Sequence, residues 1–179
     1  MKSDIIIRKA NLNDIDSVEK LYNSTIDYLN STHNYPGWKK GIYPTREDAI
    51  SGLEEDVLYV AEVNSNIAGT IMLIHKGEDG YKQAKWSVDT SYDKVYVVYT
   101  LAVNPNYLRI GVGEKLLLFA EELAMKEGCL SIRLDVVKGN IPAIHLYEKC
   151  GFKYIDTVSL GYEEYGLPWY DLFEKDLRK

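Results

Sequence analysis

The sequence predicts a mixed α/β domain with the element order β-α-α-β-β-β-α-β-α-β-β, and three observations carry that reading. Short β-branched and aromatic runs alternate with stretches whose apolar residues recur at helical spacing. Clusters of Asn, Gly and Pro stand where the period changes. The 179 residues are 46% hydrophobic and 27% charged, close to globular averages, which argues against disorder. A chain of this length suits one domain over residues 1–179, burying roughly two thirds of its unfolded surface. No repeat, low-complexity segment or long linker divides it.

Each element has its own signal. Ile5–Arg8 reads as the first strand. Asn13 or Asp14 is placed to cap a helix with Ile15, Val18, Leu21, Tyr22 and Ile26 on one face. Asn30–Pro44 is an aromatic loop punctuated by Gly and Pro, and Thr45-Arg46-Glu47-Asp48 then opens a short helix through Leu53, with acidic residues in its first turn. Val57–Val63 and Ile67–His75 form a hairpin about Asn64-Ser65-Asn66. Gly77–Lys94 is polar and is either a long loop or the seat of a short helix. Val95–Val103, nearly all β-branched or aromatic, is a central strand. The helix after Gly113 places Leu116, Leu117, Ala120, Leu123 and Ala124 on one face and stops at Gly128. Leu130–Val137 is the next strand. Asn140 starts a helix through Lys149 that tolerates Pro142 in its first turn. Gly151 ends that helix, and Phe152–Leu160 and Trp169–Leu177 are the last two strands.

Charge and cysteine usage exclude some classes of function. A net charge of −6 argues against a nucleic-acid binder, which usually presents a basic face. Cys129 and Cys150 have no metal-ligand spacing and read as small buried hydrophobes in a reducing compartment, with no metal implied. The apolar run Ile5–Ile7 is far too short for a signal peptide or membrane span, so a cytoplasmic protein without membrane attachment is expected.

The most informative stretch is Tyr99–Gly113, Y-T-L-A-V-N-P-N-Y-L-R-I-G-V-G. An apolar strand passes into an Asn/Pro turn, a loop with glycines two apart, and a helix start. Several backbone N–H groups then point at one spot, with the positive end of a helix dipole behind them, and such a spot holds phosphate. Gly111 and Gly113 taken alone also fit a mere tight strand-to-helix turn. A dinucleotide-binding motif would need a third glycine at position 116, where Leu116 stands. The phosphate-loop NTPase motif would need Gly-Lys-Ser/Thr, which Gly113-Glu114-Lys115-Leu116 does not supply.

The company of that loop is more specific. The stretch L-A-V-N-P-N-Y-L-R-I-G-V-G-E-K-L-L resembles the acyl-CoA-binding motif of the GCN5-related N-acetyltransferase (GNAT) family, [Gln/Arg]-x-x-Gly-x-[Gly/Ala]. Downstream, N-I-P-A-I-H-L-Y-E-K-C-G-F (Asn140–Phe152) resembles the family's second signature, N-x-x-A-x-x-x-Y-x-x-x-G-F. One departure is visible: Leu108 occupies the Gln/Arg position and Arg109 follows it.

The resemblance implies the GNAT fold, a mixed and mostly antiparallel sheet with a splayed parallel strand pair, here Val95–Val103 and Leu130–Val137, flanked by helices. It implies acetyl-CoA as co-substrate. The pantetheine arm would pair with backbone groups of Leu101, Ala102 and Val103, in the manner of strand addition. The pyrophosphate would lie over Arg109, Ile110, Gly111, Val112, Gly113 and Glu114. Asn140 matches the family's asparagine near the pantetheine. The implied reaction is direct attack of a primary amine, on a small molecule or a peptide, upon the thioester carbonyl in a ternary complex. A backbone N–H near Val103 would face the oxyanion. Tyr147 matches the family tyrosine that donates to the leaving thiolate, a role suited to a phenol that stays protonated at neutral pH.

The base is not specified. Val95–Thr100 holds no carboxylate, which leaves ordered water, Asp93, Glu163 or Glu164. Trp38, Tyr43, Tyr99 and Trp169, with Trp86, Thr100 and Tyr170, are candidates either for the acceptor pocket or for plain packing. His145 lies two positions from Tyr147, on another helix face, and reads as a surface residue. A homodimer through the last strands is suggested by analogy alone. The rival to an enzyme is a non-catalytic acyl-CoA sensor; a scaffold using the late aromatic segments is a third possibility.

Overall fold

The computed structural model describes residues 4–178. Its elements, in chain order, are β1 (Ile5–Lys9), α1 (Ile15–Ser31), α2 (Arg46–Glu54), β2 (Leu58–Val63), β3 (Asn66–Ile74), β4 (Val95–Val103), α3 (Val112–Lys126), β5 (Ser131–Val137), α4 (Ile141–Lys149), β6 (Lys153–Val158) and β7 (Tyr170–Asp176). The predicted order of strands and helices is therefore the observed one. Hydrogen bonding arranges the strands as β1-β2-β3-β4-β5-β7-β6 in one mixed sheet. The β4–β5 pair is parallel, whereas β1–β2, β2–β3, β5–β7 and β6–β7 are antiparallel.

The chain packs into two compact units. The first takes in described residues up to 34 together with 38–73 and 99–119. Here α1 buries Ile15, Val18, Leu21, Tyr22 and Ile26, as the helical spacing predicts. Its start differs from expectation. Asn11 caps a 3-10 turn over Leu12–Asp14, accepting from the Asn13 N–H at 2.9 Å. Asp14 stands at the N-cap of α1 but makes no capping bond. Its carboxylate instead takes both ends of the Arg8 guanidinium, at 2.7 and 2.9 Å, and the Asn11 N–H at 2.8 Å. The guanidinium bond, foremost, holds that carboxyl below its ordinary range. Thr45 and Asp48 form the capping box that starts α2. Asn64 and Ser65, both at positive φ, turn the β2–β3 hairpin.

The second unit takes in 35–37, 74–98 and described residues from 120 on. The polar segment Gly77–Lys94 holds two 3-10 turns, Asp79–Gln83 and Tyr92–Lys94, rather than an α-helix. A buried ion pair anchors it. Arg133 Nε donates to Glu174 Oε1 at 3.1 Å, and Arg133 Nη2 to the Val88 carbonyl at 2.6 Å. Glu174 also accepts from Ser131 Oγ and the N–H groups of Ser87 and Val88. Trp86 covers the guanidinium, 4.3 Å from its ring centroid. Both carboxylate oxygens of Glu174 and the Nε and Nη2 of Arg133 have partners, which helps a buried pair to persist.

The β5–β7 register sorts side chains onto two faces. Arg133 lies opposite Glu174, Leu134 opposite Phe173 and Asp135 opposite Leu172. Arg133, Asp135, Leu172 and Glu174 thus share the face that carries the 77–94 segment. Phe173 and Lys175 share the other, where Lys175 reaches Glu121 of α3 at 2.6 Å and the Cys150 carbonyl, just past α4, at 2.7 Å.

Candidate active site

The parallel ladder between β4 and β5 is short, running only over Val95–Val97 against Ser131–Arg133. β4 continues to Val103 and β5 to Val137. Three residues past the end of that ladder, Thr100 has φ +47°, rare for a β-branched residue and strained. Its surroundings hold it there. Tyr43 Oη hydrogen-bonds Thr100 Oγ1, and Thr70 Oγ1 donates to the Thr100 carbonyl at 3.4 Å. A left-handed residue inside a strand re-aims the peptides that follow, which belong to Leu101, Ala102 and Val103. Ala102 is buried while Leu101 and Val103 are half-buried.

The loop beyond β4 is built by side-chain and backbone turns. Asn104 Oδ1 accepts from the Asn106 N–H at 3.0 Å, and the Asn104 N–H reaches the Ala68 carbonyl at 2.8 Å. Arg109 and Gly111 then take φ +64° and +93°. A Cβ at Gly111 would meet nothing within 4 Å, so the glycine answers a backbone demand and the space beside it is open. Arg109 and Ile110 are exposed. The Lys115 N–H bonds the Gly111 carbonyl at 3.0 Å. The amides before it, from Val112 on, form the open N-terminal turn of α3 with the dipole behind them.

Gly69 of β3 sets where that helix begins. A Cβ there would lie 2.7 Å from Val112 Cγ1 and 3.0 Å from both the Ala102 carbonyl oxygen and Leu116 Cδ1. Only a glycine admits the helix start so close to the strand. Val112 is 1% exposed, so it serves as this packing anchor through its side chain. Glu114, in the first turn of α3, is half-buried.

The second unit holds the remaining predicted residues. Asn140 is the N-cap of α4, and its Oδ1 accepts from the Ala143 N–H at 3.4 Å. Tyr147 is 8% exposed and packs against Phe152 and Phe173, each with ring centroids 6.2 Å away. Burial, with the Asp135 charge and Cys150 adding to it, keeps its phenol protonated far above neutral pH. His145 is exposed, as expected.

The aromatic candidates divide. Trp38 meets Tyr43 edge-on, with ring centroids 6.1 Å apart, and Tyr99 is half-buried. Trp169 is 52% exposed. Trp86 is occupied with Arg133 and with the Tyr81 carbonyl, to which its Nε1 donates at 3.0 Å. Tyr170 is buried beside Tyr162.

Of the carboxylates considered as base, Asp93 is bonded by Ser91 and Glu163 by Ser159; these bonds lower both pKa values, and both side chains are exposed with Glu164. The sequence reading passed over Asp135, which accepts a hydrogen bond from Tyr81 Oη at 2.7 Å. Burial raises its pKa from 3.8 to about 6, against the lowering effect of the Tyr81 bond. The signal was present: one carboxylate in the otherwise apolar run Leu134-Asp135-Val136-Val137. Among the described residues no group of side chains suited to hold a metal ion occurs.

A seven-stranded mixed sheet with one parallel pair and four helices is an architecture shared with solved acetyltransferases. The structure of a GNAT-family acetyltransferase from Streptococcus agalactiae superposes with a TM-score of 0.79, covering 98% of this chain and 96% of that one at 21% identity. Ard1 from Thermoplasma volcanium superposes with a TM-score of 0.70, covering 98% and 99% at 20% identity. The sequence model of the acetyltransferase (GNAT) family matches residues 19–152. An N-alpha-acetyltransferase of Sulfurisphaera tokodaii is 34% identical over 160 residues, 88% of this chain and 86% of that protein. The chain belongs to the GNAT family and is an N-acetyltransferase. Among the described residues no helix is long and apolar enough to cross a membrane.

Proposed function

We propose that the protein transfers the acetyl group of acetyl-CoA directly to a primary amine, with the α-amino group of a peptide as the favoured acceptor. The observation that carries this is the turn at Arg109–Gly111, whose two positive-φ residues present the open amides at the start of α3. A diphosphate fits there: the donors are main-chain N–H groups, the space beside Gly111 is open, and the exposed Arg109 guanidinium adds a charge-assisted bond worth roughly 1.5–3 kcal/mol. Loss of the Gln/Arg side chain at Leu108 matters little to such a loop, because backbone groups do the holding. Preference for an α-amine rests on the Sulfurisphaera relative, an N-alpha-acetyltransferase.

Each residue then has a task. Backbone groups of Leu101–Val103, past the last pairing with β5, align the pantetheine amides, and Asn140 matches the family's asparagine for that arm. A backbone N–H near Val103, past the left-handed Thr100, would face the developing oxyanion. Tyr147, held protonated, donates to the departing sulfur. Trp38, Tyr43 and Tyr99 of the first unit are assigned to the acceptor, and Trp169 of the second remains a candidate for the same role.

The test is thiol release from acetyl-CoA over a panel of peptides and small amines, alongside calorimetry of acetyl-CoA binding. Tyr147→Phe should keep the acetyl-CoA affinity and lose about 10²-fold or more in kcat. Tight binding of acetyl-CoA with no turnover of any amine by the unaltered protein would overturn the proposal in favour of a sensor.

A further inference from the structure

We propose that Tyr43 is a positioning residue for acyl-CoA: its hydroxyl holds Thr100 in the left-handed conformation that aims the backbone groups of Leu101–Val103. The inference rests on the acetyl-transfer reading and concerns a loop residue outside both family signatures.

Thr100 does not keep that conformation unaided. A β-branched side chain at φ +47° crowds its own backbone, and the extended region is its ordinary preference in a strand. Two hydroxyls oppose the return. Tyr43 Oη hydrogen-bonds Thr100 Oγ1, and Thr70 Oγ1, on β3, donates to the Thr100 carbonyl at 3.4 Å. At that length the second bond is weak, which leaves the Tyr43 bond as the main restraint. Thr70 and Thr100 are both buried, so water does not replace a lost partner. Past the bend, the Asn104 N–H bonds the Ala68 carbonyl of β3 at 2.8 Å, so the far end is fixed as well.

The loop that carries Tyr43 keeps the hydroxyl in place. The Lys39 N–H donates to the Tyr43 carbonyl at 3.1 Å, and the Tyr43 N–H returns a bond to the Lys39 carbonyl at 3.0 Å. Asn34 brackets Trp38, accepting from its N–H at 3.1 Å and donating to its carbonyl at 2.8 Å. The Trp38 ring in turn meets that of Tyr43 edge-on. Two residues on, the capping box of Thr45 and Asp48 anchors the start of α2. Tyr43 therefore faces two ways. Its ring belongs to the residues assigned to the acceptor, and its hydroxyl to the strand assigned to acetyl-CoA.

A neighbouring phenol shows that the pairing is arranged around Thr100. Tyr22 Oη is buried and has no hydrogen-bond partner among the described residues. Burial raises its pKa, against the lowering effect of the nearby Thr70 hydroxyl. An unpaired buried hydroxyl is costly, and Thr70 is placed to serve it, yet Thr70 is committed to the Thr100 carbonyl. The bent strand thus leaves Tyr22 unpaired, whereas a strand relaxed at Thr100 would let Thr70 turn towards it. The bond from Tyr43 decides between the two arrangements.

The test is acetyl-CoA affinity by calorimetry and steady-state kinetics with an accepted peptide, alongside thermal unfolding, for the unaltered protein, Y43F, T100V, Y43F/T100G and Y22F. Y43F keeps the ring and loses the hydroxyl. It should bind acetyl-CoA about 3- to 10-fold more weakly and lose about 10- to 100-fold in kcat, with the KM for the peptide unchanged. T100V removes the other end of the bond and should show the same losses. Glycine takes a positive φ freely and leaves no hydroxyl to pair, so Y43F/T100G should recover most of both losses, even where it melts lower. Y22F removes the unpaired hydroxyl of the same cluster and should leave affinity and kcat unchanged. A folded Y43F or T100V with full affinity and kcat overturns the proposal. So does a Y43F/T100G as impaired as Y43F, because Tyr43 would then not act through Thr100, and so does a Y22F as impaired as Y43F. An unaltered protein that binds acetyl-CoA but acetylates no amine overturns the acetyl-transfer reading, while the affinities of the five proteins still decide this proposal.

Discussion

A carboxylate buried at a cost to folding should reveal itself by its removal. Asn at position 135 keeps the shape of Asp135 and still accepts from Tyr81 Oη, but it carries no charge at any pH. In the native protein the Asp135 carboxyl has a pKa of about 6 against an ordinary 3.8, so folding favours its protonated form. Below the ordinary value the group is neutral folded and unfolded, and it costs nothing. Between the two values the native state binds the proton more tightly, so stability falls as pH rises. Above about pH 6 the whole cost is present. That rise of roughly two pKa units sets a ceiling of about 3 kcal/mol, and partial exposure of the residue brings the expectation to about 1–3 kcal/mol. In a chain of this size each kcal/mol moves the Tm by about 2–4 °C. D135N should therefore melt several degrees above the unaltered protein at about pH 8, and the gap should close towards about pH 4. Thermal unfolding by circular dichroism across that range reads both. A variant that melts with or below the unaltered protein at every pH would show that the carboxylate is comfortable where it stands, and would refute the account of a charge that burial makes costly.

Two further outcomes test the scaffold. R133M should lose about 3–5 kcal/mol in urea unfolding, because Glu174, 2% exposed, is left without its cation; the double variant R133M/E174M should lose less than the two single variants together. G69A should lose about 1–3 kcal/mol and weaken acetyl-CoA binding about tenfold or more, because its new methyl must push Val112 or the Ala102 carbonyl aside at the start of α3. Calorimetry and melting on the same sample separate the two effects.

The order of elements was readable because hydrophobic period and turn chemistry agreed at most boundaries. The capping box at Thr45, the hairpin turn at Asn64-Ser65 and the glycine at 128 all behave as their residue types dictate. Where the reading missed, a distant partner had taken the local group. Asp14 is a natural cap, but Arg8 on β1 claims its carboxylate, and capping passes to Asn11 one turn earlier. Trp86 invites a place in a binding wall, yet a guanidinium from β5 lies under its ring. Local sequence cannot show either competitor, because each comes from an element paired through the sheet.

The site divides along the same line. The amides at the start of α3 and the phenol of Tyr147 follow from motifs whose spacing lies within one turn and one helix, so the sequence displays them directly. The Tyr81–Asp135 hydrogen bond could not be found that way, because no spacing rule connects two residues 54 positions apart. What brings them together is the anchoring of the 77–94 segment through Ser87 and Val88 to Glu174, a residue whose own partner is Arg133. That buried pair therefore does more than hold the unit together. By fixing the segment over the face of β5 that carries Arg133 and Asp135, it delivers the Tyr81 hydroxyl to the carboxylate. A chain that loosens at Arg133 should lose the Tyr81–Asp135 hydrogen bond before it loses its fold.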